Sequence, residues 1–400
     1  MGANITYMGT KRSLTFAVCE VAKRAQHGVL LDTFSGMCSV GEAVGTNRQI
    51  WNNDAQIFAS TVATAIFARE CGPPSALDCA SAHFPLFKKQ HARLTTAFKK
   101  ALKREADLLA AHNYSMFSTR LALLKSELMR EANACTLRSP HLFSRHYSVN
   151  YFGISQAIEI DAIAHAIQTA IRQRIITIDE ARWCIVALGR ALLKAANSTG
   201  HFAQYLKPKP KTYRRYISLR RRSIWDEWLS SISSMSPAGT PDWRKKNRAF
   251  NTDSLALIPR LAKQKAEIGV IYADPPYTDD QYSRFYHLLE TLCLYDYPEI
   301  TGAGLYRAGR FQTSFSLISK APEAMSKLIK HSARTGADLI LSYPENGLAR
   351  RAGADIVGIL KKHFRKVETC FSIPHLHSTF GASKGVARNA ATELIYLARS

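Results

Sequence analysis

The chain has 400 residues, with 54 Lys and Arg against 31 Asp and Glu, a formal net charge of +23. That length accommodates two or three domains and a sizeable core, and such a cationic surplus favours a polyanionic partner, because each phosphate neutralised releases condensed counterions. No apolar run reaches the roughly 18 residues of a membrane-spanning helix, 1–14 lacks the apolar core of a secretory signal, and eight cysteines without CxxC or paired Cys/His spacing indicate neither a disulfide framework nor a metal site. The expectation is a cytoplasmic protein with reduced thiols and no membrane partner.

In chain order, Leu14, Ala17, Val18, Val21, Ala22 and Ala25 recur at helical spacing. The apolar run 28–31 then enters a Gly/Ser-rich turn, Asp32-Thr33-Phe34-Ser35-Gly36-Met37-Cys38-Ser39-Val40-Gly41. A helix over 40–46, a strand at 49–51 ending in Asn52-Asn53-Asp54 and a helix over 55–70 follow. Helix alternating with strand, with small and acidic residues at the strand ends, predicts a parallel sheet covered by helices.

The middle differs. Residues 84–248 hold 29 Lys/Arg against 11 Asp/Glu, most of the basic excess. Amphipathic stretches at 94–111 and 118–132 predict a helical hairpin, and 158–171 a further helix. Thr177-Ile178-Asp179-Glu180 reads as a capping box opening a helix to about 196. The run 207–222 carries eight basic residues and no acidic one, interleaved with Tyr213 and Tyr216. That mixture suits phosphate contacts beside base stacking. Residues 230–241, rich in Ser, Pro and Gly, read as a loop or linker.

The α/β rhythm then returns. Residues 249–253 read as a strand end, 255–265 as a helix and 268–273 as a buried strand emptying into Asp274-Pro275-Pro276-Tyr277. Further strands are predicted at 338–343 and 392–397, and Ser342-Tyr343-Pro344-Glu345-Asn346 is a candidate pocket wall. A carboxylate at the carboxyl end of such a strand stands where open α/β sheets bind ligands. Two prolines fix the backbone and remove two amide donors, leaving the preceding carbonyls to accept bonds from an amine. An amine conjugated to a purine is a weak nucleophile. A carboxylate and a carbonyl accepting its two hydrogens draw the nitrogen toward a tetrahedral geometry, and an adjacent ring stacks on the base for about 1–3 kcal/mol.

With these motifs the chain resembles the D12 class of adenine-specific DNA methyltransferases, related to the Dam enzymes, over roughly 4–80 and 249–400. The resemblance implies a class I, Rossmann-like α/β methyltransferase sheet: a cofactor half at 1–83, a mainly helical, basic DNA-recognition insert at 84–248 and a catalytic half at 249–400. It implies catalytic roles for Asp274, Pro275, Pro276 and Tyr277. For S-adenosylmethionine it implies Asp32, Phe34 and Gly36 of a Phe-x-Gly-x-Gly core whose second glycine is Cys38 here. Asp54 resembles the ribose ligand, Asp253 a residue near the cofactor adenine, and Asp274 borders the same site. Tyr7-Met8-Gly9-Thr10-Lys11 resembles the family's N-terminal motif, with Lys11 facing the cofactor carboxylate. Asn197, Thr199 and His201, beside Tyr205, look like part of a DNA-binding insert and are candidates to reach base edges. Lys207, Arg214, Arg215, Arg220, Arg221 and Arg222 are expected on phosphates. In 281–287, Tyr282, Arg284, Tyr286 and His287 either shape the base pocket or form helix core.

The expected activity is methyl transfer to N6 of adenine in double-stranded DNA after the base is extruded, with a cognate restriction endonuclease or defence system as partner. Two alternatives stay open. One is an RNA base methyltransferase, since Asp-Pro-Pro-Tyr also occurs in enzymes acting on ribosomal RNA. The other is an inactive methyltransferase fold that binds nucleic acid, which Cys38 supports.

Overall fold

The computed structural model describes residues 14–135, 140–378 and 388–400. Its strands are β1 (Val29–Asp32), β2 (Ile50–Asn53), β3 (Arg248–Phe250), β4 (Ile268–Ala273), the small pair β5 (Ile300–Thr301) and β6 (Tyr306–Arg307), then β7 (Asp338–Pro344), β8 (Lys366–Ser378) and β9 (Arg388–Arg399). Apart from β5 and β6 they form one sheet in the order β3-β2-β1-β4-β7-β9-β8. Neighbours from β3 to β7 are parallel, and β9 runs antiparallel to both β7 and β8. This is the topology of a class I methyltransferase sheet. The chain steps outward from β1 to β3, then resumes with β4 on the other side of β1. That reversal opens a crevice at the carboxyl ends of β1 and β4.

β1, β4 and β7 are buried at every position, as near-continuous apolar strands must be when both sheet faces are covered. The two-residue period divides their side chains between faces. Leu30, Val270, Tyr272 and Ile340 join one core with helices Ile57–Phe67, Ile178–Ala195 and Ser283–Leu294. Leu31, Ile271, Leu339 and Leu341 join the other with helices Ser254–Lys263 and Ala321–Ala333.

The basic middle is helical, but it is not a body apart. Helices Ile154–Arg172 and Ile178–Ala195 place Ile160, Ile163, Leu188 and Leu192 in the same core as Leu30 and Val270 of the sheet. The boundary expected at 84 falls inside helix Ala76–Ala97, and Arg248 opens β3. A smaller core lies farther out. There the hairpin of Lys99–Ala110 and Tyr114–Ala134 closes on helix Tyr213–Arg220 through Leu108, Phe117, Leu124, Tyr213 and Tyr216. The capping box forms as read: the Thr177 hydroxyl accepts the Glu180 N–H, and the Glu180 carboxylate accepts the Thr177 N–H at 2.7 Å. The expected linker begins inside a helix, Ile224–Ser233, because Trp228 and Ile232 are buried.

Candidate active site

A cavity occupies the crevice beyond β1, β2 and β4, lined by the loops that leave those strands and β3. Local hydrogen bonds fix these loops against one another. The Thr33 N–H and hydroxyl both donate to the Tyr272 carbonyl, at 3.0 and 2.9 Å, joining the β1 turn to the end of β4. The buried Asn53 amide donates to the carbonyls of Thr33 and Thr252, both at 3.1 Å, tying three loops together. Asp54 accepts the Gly36 N–H at 2.9 Å on one oxygen and the Gln56 N–H at 2.8 Å on the other. Glu290 caps helix Ile57–Phe67 by accepting the N–H groups of Ile57 and Phe58. In the turn itself Gly36 and Cys38 both have positive φ, 48° and 61°. Cys38 therefore holds a conformation that glycine adopts without strain.

The outer wall comes from the segment after Asp274-Pro275-Pro276-Tyr277. Gln281 exchanges two bonds with the Thr313 backbone: its amide donates to the carbonyl at 3.1 Å and its oxygen accepts the N–H at 2.8 Å. Phe311, 37% exposed, stands at the rim with Tyr277 and Tyr282 along the lining. The Tyr277 carbonyl accepts the Leu348 N–H at 2.9 Å, so the loop after β7 props Tyr277 from behind. That loop is not a pocket wall as expected. Tyr343 points into the core, where its hydroxyl accepts the Ala349 N–H, and Ser342 donates to the buried Glu393.

Within a protein of charge +23 the cavity is acidic. Asp32, Asp54, Asp253 and Asp274 line it, and among the described residues no Lys, Arg or His does. Burial, with Asp274 and Asp54 nearby, pushes the Asp32 carboxyl well above the usual range. Burial raises Asp54 to about 6 against the two N–H bonds that favour its anion. Asp253 caps helix Ser254–Lys263, accepting the Leu255 N–H at 2.9 Å. A site of this kind fits a cation, since a positive charge offsets what burial costs the carboxylates. With the diol-accepting capacity of Asp54 and the close backbone at Gly36, the lining fits S-adenosylmethionine, a sulfonium.

The structure thus brings Asp32, Phe34, Gly36, Asp54, Asp253, Asp274, Pro275, Pro276 and Tyr277 around one cavity. Tyr7 and Lys11 lie outside the described residues. Of the 281–287 segment, Tyr282 reaches the cavity, Arg284 pairs with Asp280 at 2.9 Å, and Tyr286 and His287 are buried core. Gln281, Thr313, Phe311 and Asn53 were not singled out as site residues. Asn53 sits in the same strand-end run as Asp54 and Gln281 opens the 281–287 segment, whereas Phe311 and Thr313 carry no local motif and are delivered by tertiary contacts.

Several expected DNA contacts are corrected. Arg220 is buried, donates to the carbonyls of Val149 and Asn150 at 3.0 Å each, and stacks on Tyr216. Its guanidinium holds the start of helix Ile154–Arg172 rather than a phosphate. Tyr213 and Tyr216 pack against Phe117 and are closed to bases. Asn197 is buried, and its amide donates to the Leu206 carbonyl at 2.5 Å. His201 is buried too; it accepts the Ala203 N–H and sits 3.0 Å from the Thr199 hydroxyl. The His201 ring also packs edge-on to Phe285. Thr199, Lys207, Arg214, Arg215, Arg221 and Arg222 are exposed. Arg221 hydrogen-bonds His112, and Arg222 pairs with Glu227 at 3.7 Å.

Residues 244–341, from the end of the basic middle into β7, match the family described as D12 class N6 adenine-specific DNA methyltransferase. Similar curated proteins include Modification methylase StsI of Streptococcus sanguinis, 27% identical over 241 residues, 60% of this chain and 33% of that protein. Modification methylase LlaI of Lactococcus lactis subsp. lactis is 24% identical over 375 residues, 91% of this chain and 51% of that one. Type II methyltransferase M.FokI of Planomicrobium okeanokoites is 25% identical over 363 residues, 89% and 47%. The chain spans about a third to a half of the length of these relatives. Among the described residues no helix is long and apolar enough to cross a membrane. Through the matched segment 244–341, which holds the Asp-Pro-Pro-Tyr motif and strand β4 that carries it, the chain is similar to the D12 class of N6 adenine-specific DNA methyltransferases.

Proposed function

We propose that this chain methylates N6 of adenine in double-stranded DNA with S-adenosylmethionine as methyl donor, acting on a base swung out of the duplex. The observation that carries the reading is the acidic cavity free of described basic side chains in a strongly basic protein, with Asp274-Pro275-Pro276-Tyr277 on its wall. An anionic phosphate is unwelcome there, whereas a neutral base and a sulfonium are not. The sulfonium supplies an electrophilic methyl group, and its thioether leaving group needs no metal assistance. Asp32, Phe34, Gly36, Asp54 and Asp253 hold the donor, with Asp54 accepting from the ribose while its two N–H bonds keep the carboxylate in place. Asp274 and the Pro275 carbonyl accept the two N6 hydrogens, and the Tyr277 ring covers the base. Asp274 orients the amine; the proton is lost after transfer.

The names of the relatives, modification methylases and a type II methyltransferase, favour DNA over RNA and a restriction endonuclease as functional partner. A cytoplasmic location follows from that role. The test is transfer of labelled methyl to duplex DNA and to structured RNA, with modified bases identified by sequencing. Asp274→Ala should lower the rate by about 10²-fold or more, the scale of a lost group that acts on the reacting atom, while donor binding persists. Tyr277→Phe should be mild and Tyr277→Ala severe. Transfer to RNA alone, or near-normal activity in Asp274→Ala, would overturn the assignment.

A further inference from the structure

Outside the cavity, three sulfur and nitrogen donors meet where none was expected from sequence spacing. Cys79 and His83 stand four residues apart on one face of helix Ala76–Ala97. Cys184 faces them from helix Ile178–Ala195. All three are closed to solvent, at 1%, 0% and 0% exposure. The Cys79 Sγ lies 3.9 Å from the Cys184 Sγ and 3.8 Å from the His83 Nδ1, and one ligand atom from each residue, with either ring nitrogen serving for His83, lies within 4.8 Å of the others.

The histidine is already oriented. Its Nδ1 lies 2.7 Å from the Cys79 carbonyl, which can only accept, so Nδ1 carries the proton. Nε2 then bears the lone pair, and it is buried without a hydrogen-bond partner. A ring N–H held by a backbone carbonyl, leaving the other nitrogen basic, is the usual support of a metal-bound imidazole. The sulfur separation suits a shared ion as well: two thiolates at about 2.3 Å from a tetrahedral zinc stand roughly 3.8 Å apart. It is far from the roughly 2.05 Å of a disulfide. Trp228 closes the side, its ring edge-on to His83 at 5.3 Å and its N–H donating to the Cys184 carbonyl.

We propose that Cys79, His83 and Cys184 form a structural site for a thiophilic d10 cation, Zn²⁺ or Cu⁺, that staples helix Ala76–Ala97 to helix Ile178–Ala195. Two thiolates and an imidazole are soft and borderline donors, which select these ions over Mg²⁺ or Ca²⁺. Binding releases the two thiol protons to solvent. With no solvent path to the donors, the ion enters as the helices close, so its binding energy is folding energy. None of the three residues lines the acidic cavity, so the site stands whether or not the proposed methyl transfer does.

The test uses the full chain, purified without chelator and separately refolded anaerobically with Zn²⁺, with Cu⁺ under reductant, or with Co²⁺ as spectroscopic probe. Elemental analysis should give about one cation per chain, and Co²⁺ should produce a thiolate charge-transfer band and quench tryptophan fluorescence. The Zn²⁺ and Cu⁺ arms show which ion is retained against a competing chelator. Cys184→Ser and His83→Gln should weaken retention by about tenfold or more, whereas Cys71→Ser should not. If those variants fail to fold, the parent still decides: its unfolding midpoint should rise with the cation and fall with chelator. Failure of the parent to retain any of the ions would overturn the proposal. So would a mass lower by two hydrogens with two fewer titratable thiols, which would mark a Cys79–Cys184 disulfide instead.

Discussion

At the scale of single residues, the cavity's behaviour follows from how its carboxylates are buried. Asp54 titrates at about 6, raised from 3.8 by burial. Under the proposed function its anion is the form that would accept from the donor's ribose and attract the sulfonium. Donor affinity should therefore be full above that value and fall as pH drops through it, by at most about tenfold per unit for a single proton. Asp54→Asn should weaken binding by about 1.5–3 kcal/mol at neutral pH and flatten the profile; calorimetry from pH 5 to 8 checks both. An unchanged profile would leave Asp54 as a strut between Gly36 and Gln56 only. Cys38, at φ 61°, makes a second case. Cys38→Gly should preserve donor affinity and thermal stability, whereas Cys38→Val, β-branched and poorly suited to that region, should lose about 2 kcal/mol. Equal stability of the two variants would sink this account. Asp274, Tyr277 and Asp54 were legible because each sits in a contiguous strand-end motif. Gln281 with Thr313, and Cys79 with Cys184, were not: residues 32 and 105 positions apart meet only through folding.

Among elements, legibility tracked hydrophobic continuity. β4 was read to the residue because it is apolar on both faces. β8 was missed because it is the sheet's outer strand, and charged Lys366 and Glu368 open it. Helix Ala76–Ala97 was missed because Pro85 interrupts it and its buried face includes His83 and Gln90. The docking of the helical middle on the sheet body was equally invisible, although at one point it depends on a glycine. A Cβ on Gly189 would stand 2.4 Å from two ring atoms of Phe58, itself buried. Gly189→Ala should thus destabilise the chain by about 1–3 kcal/mol through overpacking, although alanine is the better helix former by about 1 kcal/mol. Phe58→Leu should recover part of that loss in the double variant. Denaturant unfolding of the four proteins measures the coupling, and additive effects would mean the helices adjust freely.

For the whole molecule, the decisive contrast is an acidic cavity in a cationic body. The sequence located the basic excess correctly but could not tell exposed from structural arginines, since both sit in one run. Neutralising the exposed Lys209, Lys211, Arg214 and Arg215 should weaken DNA binding evenly across sequences. The slope of log K against log salt should shrink by about 0.9 for each phosphate that is no longer neutralised. Arg220→Ala should lower stability and leave the slope alone; a reversed pattern in the salt titration would return Arg220 to the DNA surface. The order of the sheet bears on a different property, the timing of assembly. β1 and β2 precede the helical middle, yet their partners β4 and β3 follow it: Asn52 pairs with Ala249, and Leu30 with Val270. During synthesis the first two strands emerge long before the second two exist, and at roughly 5–20 residues per second that gap lasts about ten seconds or more. Over that interval the crevice cannot form. Helix-on-helix contacts of the middle are the first available to the growing chain, and the acidic cavity is assembled last, by strands that must find each other across about two hundred residues of already folded polypeptide.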